Sequence, residues 1–317
     1  MPSPALIVVI DTEEEFDWSQ PFSRDNTAVT SMDHQGKAQE IFARHGMIPT
    51  YVIDYPVATT PSSIGVLREL HDANACAIGT HLHPWVNPPF EEAVNSQNSY
   101  PGNLPAPLER AKLTALTEAI EQNLAVRPTV YKAGRYGIGP NTPAILTALG
   151  YEIDVSMVPR TWFTEDGGPD FRQLDSPPFR FGPEDGLLEI PLSVGYCGLL
   201  RQFGARLYPP LATPEMVRLH APGVFARSGL LERIRLSPEG ADLEALKRLT
   251  RAMVARGDRV FSLTYHSPSL MPGCTPYVRD TNDLSVFLGI IDGYLRFFKD
   301  EIGGQFATPE EILSHTP

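Results

Sequence analysis

Four apolar, β-rich runs in this chain each end in a polar cluster, and the segments between them carry helical spacing. The clusters are Asp11-Thr12-Glu13, His81-Leu82-His83, Lys132-Ala133-Gly134-Arg135-Tyr136 and Leu263-Thr264-Tyr265-His266. A strand, a helix and another strand in succession read as a parallel β-α-β unit, and parallel strands point their C-terminal ends to one side of a sheet or barrel. Residues at those ends therefore converge on one mouth.

The alternation runs through most of the chain. Residues 5–10 read as a buried strand, 31–44 as a helix stopped by Gly46, and 48–53 as a second strand. A helix opens at Pro61 behind Thr60, and residues 75–79 lead to His81. Residues 107–125 form a helix and 129–132 a strand; Asn141 caps a helix ending at Gly150, and 151–155 are a strand. Later come a helix over 238–256, a strand over 259–265, an amphipathic helix over 281–302 and a short closing strand and helix. Two stretches break the pattern. Residues 84–107 are rich in Pro and Asn, the mark of a functional or mobile loop, and 156–236 carry many Pro and Gly with one strand candidate at 187–190. Both read as irregular insertions in a single domain over 1–317, with about seven β-α units favouring a barrel over a doubly wound sheet.

Composition sets the outer limits. At 317 residues, 42% hydrophobic and 20% charged, the chain can bury a large core. Its net charge of −12, with no basic run, argues against a nucleic acid partner. No apolar stretch approaches the length of a membrane span. The opening Met1-Pro2-Ser3-Pro4 shows no basic leader, and Cys76, Cys197 and Cys274 lack CxxC spacing, which together favour a reducing cytoplasm.

The clusters carry chemistry through strand geometry. Residues i and i+2 of a strand face the same way, so Asp11 and Glu13 address one site, and so do His81 and His83. Two imidazoles and a carboxylate make a three-ligand divalent metal site with room for water, while the second carboxylate serves as proton acceptor. Strand-end reach favours Glu13 over Asp11 as the ligand. Glu14, Glu15 and Asp17 read as a solvated acidic loop. His266, after its strongly β-like run, lies where an imidazolium protonates a leaving amine. There is no G-x-S-x-G, P-loop or G-x-G-x-x-G.

Taken together and in order over about residues 5–310, these motifs resemble the polysaccharide deacetylase family, the NodB-homology or carbohydrate esterase family 4 group, and within it the WalW-like branch. The resemblance rests on Asp11 with Glu13, His81 with His83, Lys132 to Tyr136, Asp154 in Gly150-Tyr151-Glu152-Ile153-Asp154, and Leu263 to His266. It implies an α/β fold, a distorted (β/α)7 barrel, and one divalent metal ion, zinc in the first instance, held by a carboxylate and two histidines. It implies Asp11 as base, His266 as acid, Arg135 or Lys132 as the group that orients Asp11, and Asp154 in support. A backbone N–H near Tyr136 would join the metal in stabilising the oxyanion. The sequence departs from the common pattern in its Asp-x-Glu acids, its i, i+2 histidines and its Lys-Ala-Gly-Arg-Tyr loop.

The activity implied is removal of N-acetyl groups from a sugar or glycan precursor. Trp85, with Trp18, Phe90 and Tyr100, would stack on a pyranose, and Lys132 and Tyr136 would line the substrate. Two other readings keep the barrel: hydrolysis of another C–N bond, in a small amide or cyclic ureide, and a sugar-binding protein with a degraded metal site.

Overall fold

A computed structural model describes residues 3–316; Met1 and Pro2, part of the opening expected to carry no basic leader, and Pro317 lie outside it. In chain order the strands are β1 (Ala5–Thr12), β2 (Thr50–Ile53), β3 (Ala77–Leu82), β4 (Val130–Ala133), β5 (Ile153–Asp154), β6 (Phe179–Phe181), β7 (Leu187–Glu189), β8 (Val194–Cys197), β9 (Glu232–Arg235), β10 (Val260–His266) and β11 (Gln305–Phe306). The helices are α1 (Gly36–His45), α2 (Tyr55–Thr59), α3 (Pro61–Asp72), α4 (Ala106–Leu124), α5 (Thr142–Ala148), α6 (Gly204–Leu211), α7 (Pro214–Arg218), α8 (Ala221–Arg227), α9 (Leu243–Arg256), α10 (Thr281–Asp300) and α11 (Pro309–His315).

The main sheet runs β10-β1-β2-β3-β4-β5-β7-β6, parallel except for β6, and β11 adds to β1 beside Ala5 and Leu6. It curls into a distorted barrel. The gap between β7 and β10 carries no regular ladder. Single bonds bridge it instead: Ser193 N–H donates to the Ser262 carbonyl and Thr264 N–H to the Leu236 carbonyl, at 3.2 Å each. The irregularity has a cause in β8 and β9, which leave the barrel to form their own antiparallel pair.

β1 is buried along its whole length, and its period of two splits it between two cores. Leu6, Val8 and Ile10 pack outward against the helix layer, while Ala5, Ile7 and Val9 join Val52, Val130, Ile153 and Leu188 inside the barrel. Ile312 of α11 enters the inner cluster, beyond the end of β1 that β11 pairs. Truncating Ile7 to Ala would cost roughly 2–5 kcal/mol, because the inner layer has no room to collapse. The inward phase of Ile7 and Val9 continues to Asp11 at the opposite, C-terminal end. That continuation places the site.

One boundary differs for a reason of capping, and one expected cap is not made. The helix read from residue 238 starts at Leu243, because the Asp242 carboxylate accepts the Ala245 N–H at 2.7 Å and residues before it turn back toward β10. Asn141 precedes α5 without a side-chain capping bond. The loop over 84–107 is pinned from below: the Lys112 ammonium, fully buried on α4, donates to the carbonyls of Pro84, Asn87 and Pro89 at 2.9, 2.6 and 2.7 Å and pairs with Glu92 at 3.0 Å. Those bonds hold a chain segment without regular ladders in one conformation. No helix among the described residues is long and apolar enough to cross a membrane.

Candidate active site

Asp11, Glu13, His81, His83, Arg135, Tyr136 and His266 line one cleft of about 310 Å³ at the C-terminal ends of the barrel strands. Register explains the convergence. Asp11 of β1 lies opposite His266 of β10, and His81 of β3 opposite Lys132 of β4. Neighbouring parallel strands thus present their last inward side chains side by side.

Glu13, His81 and His83 offer ligand atoms that all lie within 4.8 Å of one another. One Glu13 oxygen, Oε2, stands 3.5 Å from His81 Nε2 and 3.4 Å from His83 Nε2, and the other, Oε1, is buried without a hydrogen-bond partner. Both imidazoles are aimed by their far nitrogens. His81 Nδ1 donates to the Lys132 carbonyl at 3.1 Å, and His83 Nδ1 meets Glu14 Oε2 at 2.8 Å, which leaves both Nε2 lone pairs toward Glu13. Burial drives both histidines below the ordinary value, His83 to about 4, so each is a neutral donor. Two neutral imidazoles, a buried orphan carboxylate oxygen and outer-shell acceptors fit a divalent cation.

Asp11 is 1% exposed and bonded to Lys132 Nζ at 2.5 Å; the ammonium also donates to Thr264 Oγ1 at 3.0 Å. Burial alone would raise its pKa. The charges of Lys132, His81 and His266 outweigh burial and hold it at about 2, so it stays a carboxylate. Its free oxygen lies 3.7 Å from His266 Nε2. Burial pulls the His266 imidazole down, but the Glu239 carboxylate at 2.8 Å from Nδ1, with Glu13 and Asp11 nearby, lifts it well above the ordinary value.

Of the two cations expected to orient Asp11, only Lys132 reaches it. Arg135 turns away: its guanidinium bonds Ser99 Oγ at 2.7 Å and Asp166 at 3.0 Å and sits 4.2 Å over the Tyr100 ring. The backbone explains this, since Arg135 and Tyr136 both take left-handed φ, 53° and 62°, a costly pair for non-glycine residues that re-aims the loop. Gly134 before them is required by close approach, because a Cβ there would lie 2.6 Å from His83 Cδ2. Among the described residues Asp154 makes no direct hydrogen bond to Asp11 or Lys132. It is fully buried, accepts from Ser156 N at 3.1 Å and from its hydroxyl, and shares a proton with Glu189, burial raising both carboxyls. It is linked to the site through Ser156 Oγ, which accepts the Ala133 N–H at 2.7 Å, and through Glu189, on which the Lys132 charge acts.

Trp85 is another correction. At 1% exposure it is not a surface for a sugar; its ring stacks on His83 at 4.3 Å and its indole N–H donates to Glu14 at 2.7 Å. The exposed rings at the mouth are Trp18 and Tyr277; Trp18 stacks on Phe16 at 5.9 Å and is edge-on to His266 at 4.9 Å and to Tyr277 at 5.7 Å. Tyr100 is buried under Arg135, and Phe90 lies outside the cleft beside Arg24 and Lys112. Tyr136 lines the cleft and stacks on Phe163 at 5.5 Å.

Sequence reasoning missed Glu14, Asp54, Glu239 and Arg235. Glu14 is not part of a solvated loop: it is fully buried and hydrogen-bonded to Asp54, its pKa pushed up to about 8 by burial, and Asp54 is raised as well, so the two carboxyls share a proton. Glu15 is half-buried against Thr30 and Ser31, and Asp17 is exposed. Glu239 accepts from the His266 and Ser269 side chains and from the His266 N–H.

No protein-family model matches the sequence, and no curated protein matches it. Solved structures do. A candidate polysaccharide deacetylase of Mycobacterium smegmatis superposes with a TM-score of 0.55 at 17% identity, over 99% of this chain and 91% of that one. A 4-alpha-glucanotransferase of Thermococcus litoralis gives 0.54 at 12% identity, over 100% of this chain and 41% of that one. A GH57 branching enzyme of Thermococcus kodakaraensis, solved with glucose, gives 0.52 at 10% identity, over 99% and 71%. The chain therefore shares its fold with a deacetylase candidate and with two glucan enzymes, and the choice of chemistry rests on the donor set at its mouth.

Proposed function

We propose that the chain is a metal-dependent hydrolase of the polysaccharide deacetylase superfamily, WalW-like, that removes N-acetyl groups from a sugar or polysaccharide precursor in the cytoplasm. The observation that carries the reading is one mouth holding a Glu13–His81–His83 donor set beside an ionised Asp11 and a proton-bearing His266. Chemistry at glycosidic bonds ordinarily runs on a pair of carboxyl groups, and here both acids are committed, one to Lys132 and one to the histidines.

A divalent cation held by Glu13, His81 and His83, zinc in the first instance, supplies a Lewis acid for the amide carbonyl and for water. Asp11 accepts the proton of the attacking water, and Lys132 keeps it ionised and fixed for that task. His266 delivers its proton to the amide nitrogen as the C–N bond breaks, so the water oxygen leaves in acetate and the sugar leaves as an amine. We assign the backbone N–H beside Tyr136 to the oxyanion. Trp18, Tyr136 and Tyr277 present rings to a sugar face.

Metal analysis of protein purified without chelator, followed by acetate release from N-acetylated mono- and oligosaccharides, tests the reading. Stoichiometric metal and acetate release that stops on chelation and returns with metal are expected. Metal-loaded protein that frees no acetate from any of these sugars overturns it, and ammonia or amine release from small amides would move the function to another C–N bond.

A further inference from the structure

Among the described residues, Arg235 is the cation in the cleft without a carboxylate partner. It ends β9, half-buried, and its one hydrogen bond is a long one, from Nη1 to the Tyr136 hydroxyl at 3.3 Å, with the guanidinium 5.6 Å from the centre of that ring. The other cations around it are all occupied. Arg233, two residues back on the same strand, donates to Thr161 Oγ1 at 2.5 Å and to the Arg160 carbonyl; Arg135 holds Asp166; Lys132 holds Asp11. The carboxylates lining the cleft are equally committed, Asp11 to Lys132 and Glu13 to the two histidines, so neither is free to turn toward Arg235.

A half-buried guanidinium that has lost water without gaining acceptors is costly unless something supplies them. Its planar fork fits an oxyanion, which it binds through two parallel N–H bonds. A chain of net charge −12 repels anions at long range, so a free arginine at the site is a local exception that favours them. We infer that the substrate carries an anionic group, a carboxylate or phosphate on the acetylated sugar or its neighbour, and that Arg235 reads it while the Tyr136 hydroxyl fixes the guanidinium. This rests on the deacetylase reading for the reacting bond but not for the binding event.

The test compares N-acetylglucosamine with its 1-phosphate, its 6-phosphate and N-acetylglucosaminuronic acid, as kcat/KM for acetate release by wild type, Arg235→Gln and Arg235→Lys. At least one anionic sugar should be preferred over the neutral one by about tenfold or more in wild type, the equivalent of about 1.4 kcal/mol. That ratio should fall toward one in Arg235→Gln and be partly kept in Arg235→Lys; whether phosphate or carboxylate gives it identifies the oxyanion. A wild-type ratio near one for all three anions, or the same ratio in Arg235→Gln, overturns the inference. If no acetylated sugar is turned over, the deacetylase reading fails, and calorimetry with glucosamine 6-phosphate, glucosamine 1-phosphate and glucosaminuronic acid decides this one alone. Binding lost in Arg235→Gln sustains it, and binding equal in both proteins, or none in wild type, overturns it.

Discussion

His83 and His266 are held in the same way, yet one is neutral and the other positively charged. Each presents Nδ1 to a glutamate at 2.8 Å, Glu14 for the first and Glu239 for the second. Yet burial takes His83 down to about 4, while on His266 burial loses to Glu239, Glu13 and Asp11 and the imidazole stays protonated well above its ordinary range. The company of each glutamate accounts for the difference. Glu14 is itself pushed up to about 8 by burial and shares a proton with Asp54, so near pH 7 it offers His83 an acceptor with little charge. Glu239 accepts from the His266 N–H and the Ser269 hydroxyl, and its carboxylate, with those of Glu13 and Asp11 nearby, lifts the His266 imidazole. On the proposed reading one histidine is thereby a neutral ligand and the other an acid. A hydrogen bond of fixed length does not set the charge of its partners; the second neighbour does.

The hardest blow to this contrast is to remove the neutral half. His83→Ala or Glu13→Ala should lose stoichiometric metal, measured by elemental analysis after dialysis, and bring acetate release to background. Metal retained in full by His83→Ala would mean that the low-pKa imidazole is not a ligand. The charged half should behave differently: His266→Ala and Asp11→Asn should lose about two to four orders of magnitude in kcat while keeping their metal. Loss of metal from His266→Ala would exchange the roles of the two histidines.

Much of this site was legible because strand periodicity is local. Asp11 with Glu13 and His81 with His83 follow from a period of two, and Lys132 from its place at the end of β4. The rest depended on contacts that sequence spacing does not carry. Glu14 comes after β1 has ended, where the chain turns and consecutive residues no longer alternate, so its burial against Asp54, 40 residues on, had no local signal. Glu239 sits in a turn that was read as the start of α9, 27 residues from His266. Arg135 and Tyr136 depart from expectation through two left-handed residues, and Trp85 through a loop nailed down by Lys112. In the fold, the alternation of long apolar runs and helices was readable, whereas β6 to β9 are short, partly antiparallel and paired across Pro- and Gly-rich links with no period to find.

A finer test asks whether Glu14 acts through charge or only through geometry. Glu14→Ala should weaken metal affinity by about 10–100-fold, the usual cost of losing an outer-shell partner, read by competition with a chromophoric chelator. Glu14→Gln mimics the protonated carboxyl that the Asp54 bond already implies, so it should cost clearly less than Glu14→Ala. Equal losses in the two variants would show that a full carboxylate charge supports His83, and the contrast with Glu239 would break.

The smallest effect, and the most specific, is a displacement along the pH axis in Glu239→Gln. In the proposed mechanism His266 acts as the imidazolium, so kcat/KM should fall on the alkaline side as that proton is lost. Burial opposes the charged form; Glu239, Glu13 and Asp11 favour it, with Glu239 the nearest. Replacing the Glu239 carboxylate by an amide removes the largest favourable contribution, so the His266 pKa falls and the alkaline limb moves to lower pH. A hydrogen bond to a charged group is worth about 1.5–3 kcal/mol, which corresponds to roughly one to two pH units. Below the displaced limb His266 is still protonated in the variant, so the plateau should drop far less than in His266→Ala. A limb that stays in place while the plateau collapses would mean that Glu239 positions the ring without charging it, and a limb that moves to higher pH would exclude His266 as the acid.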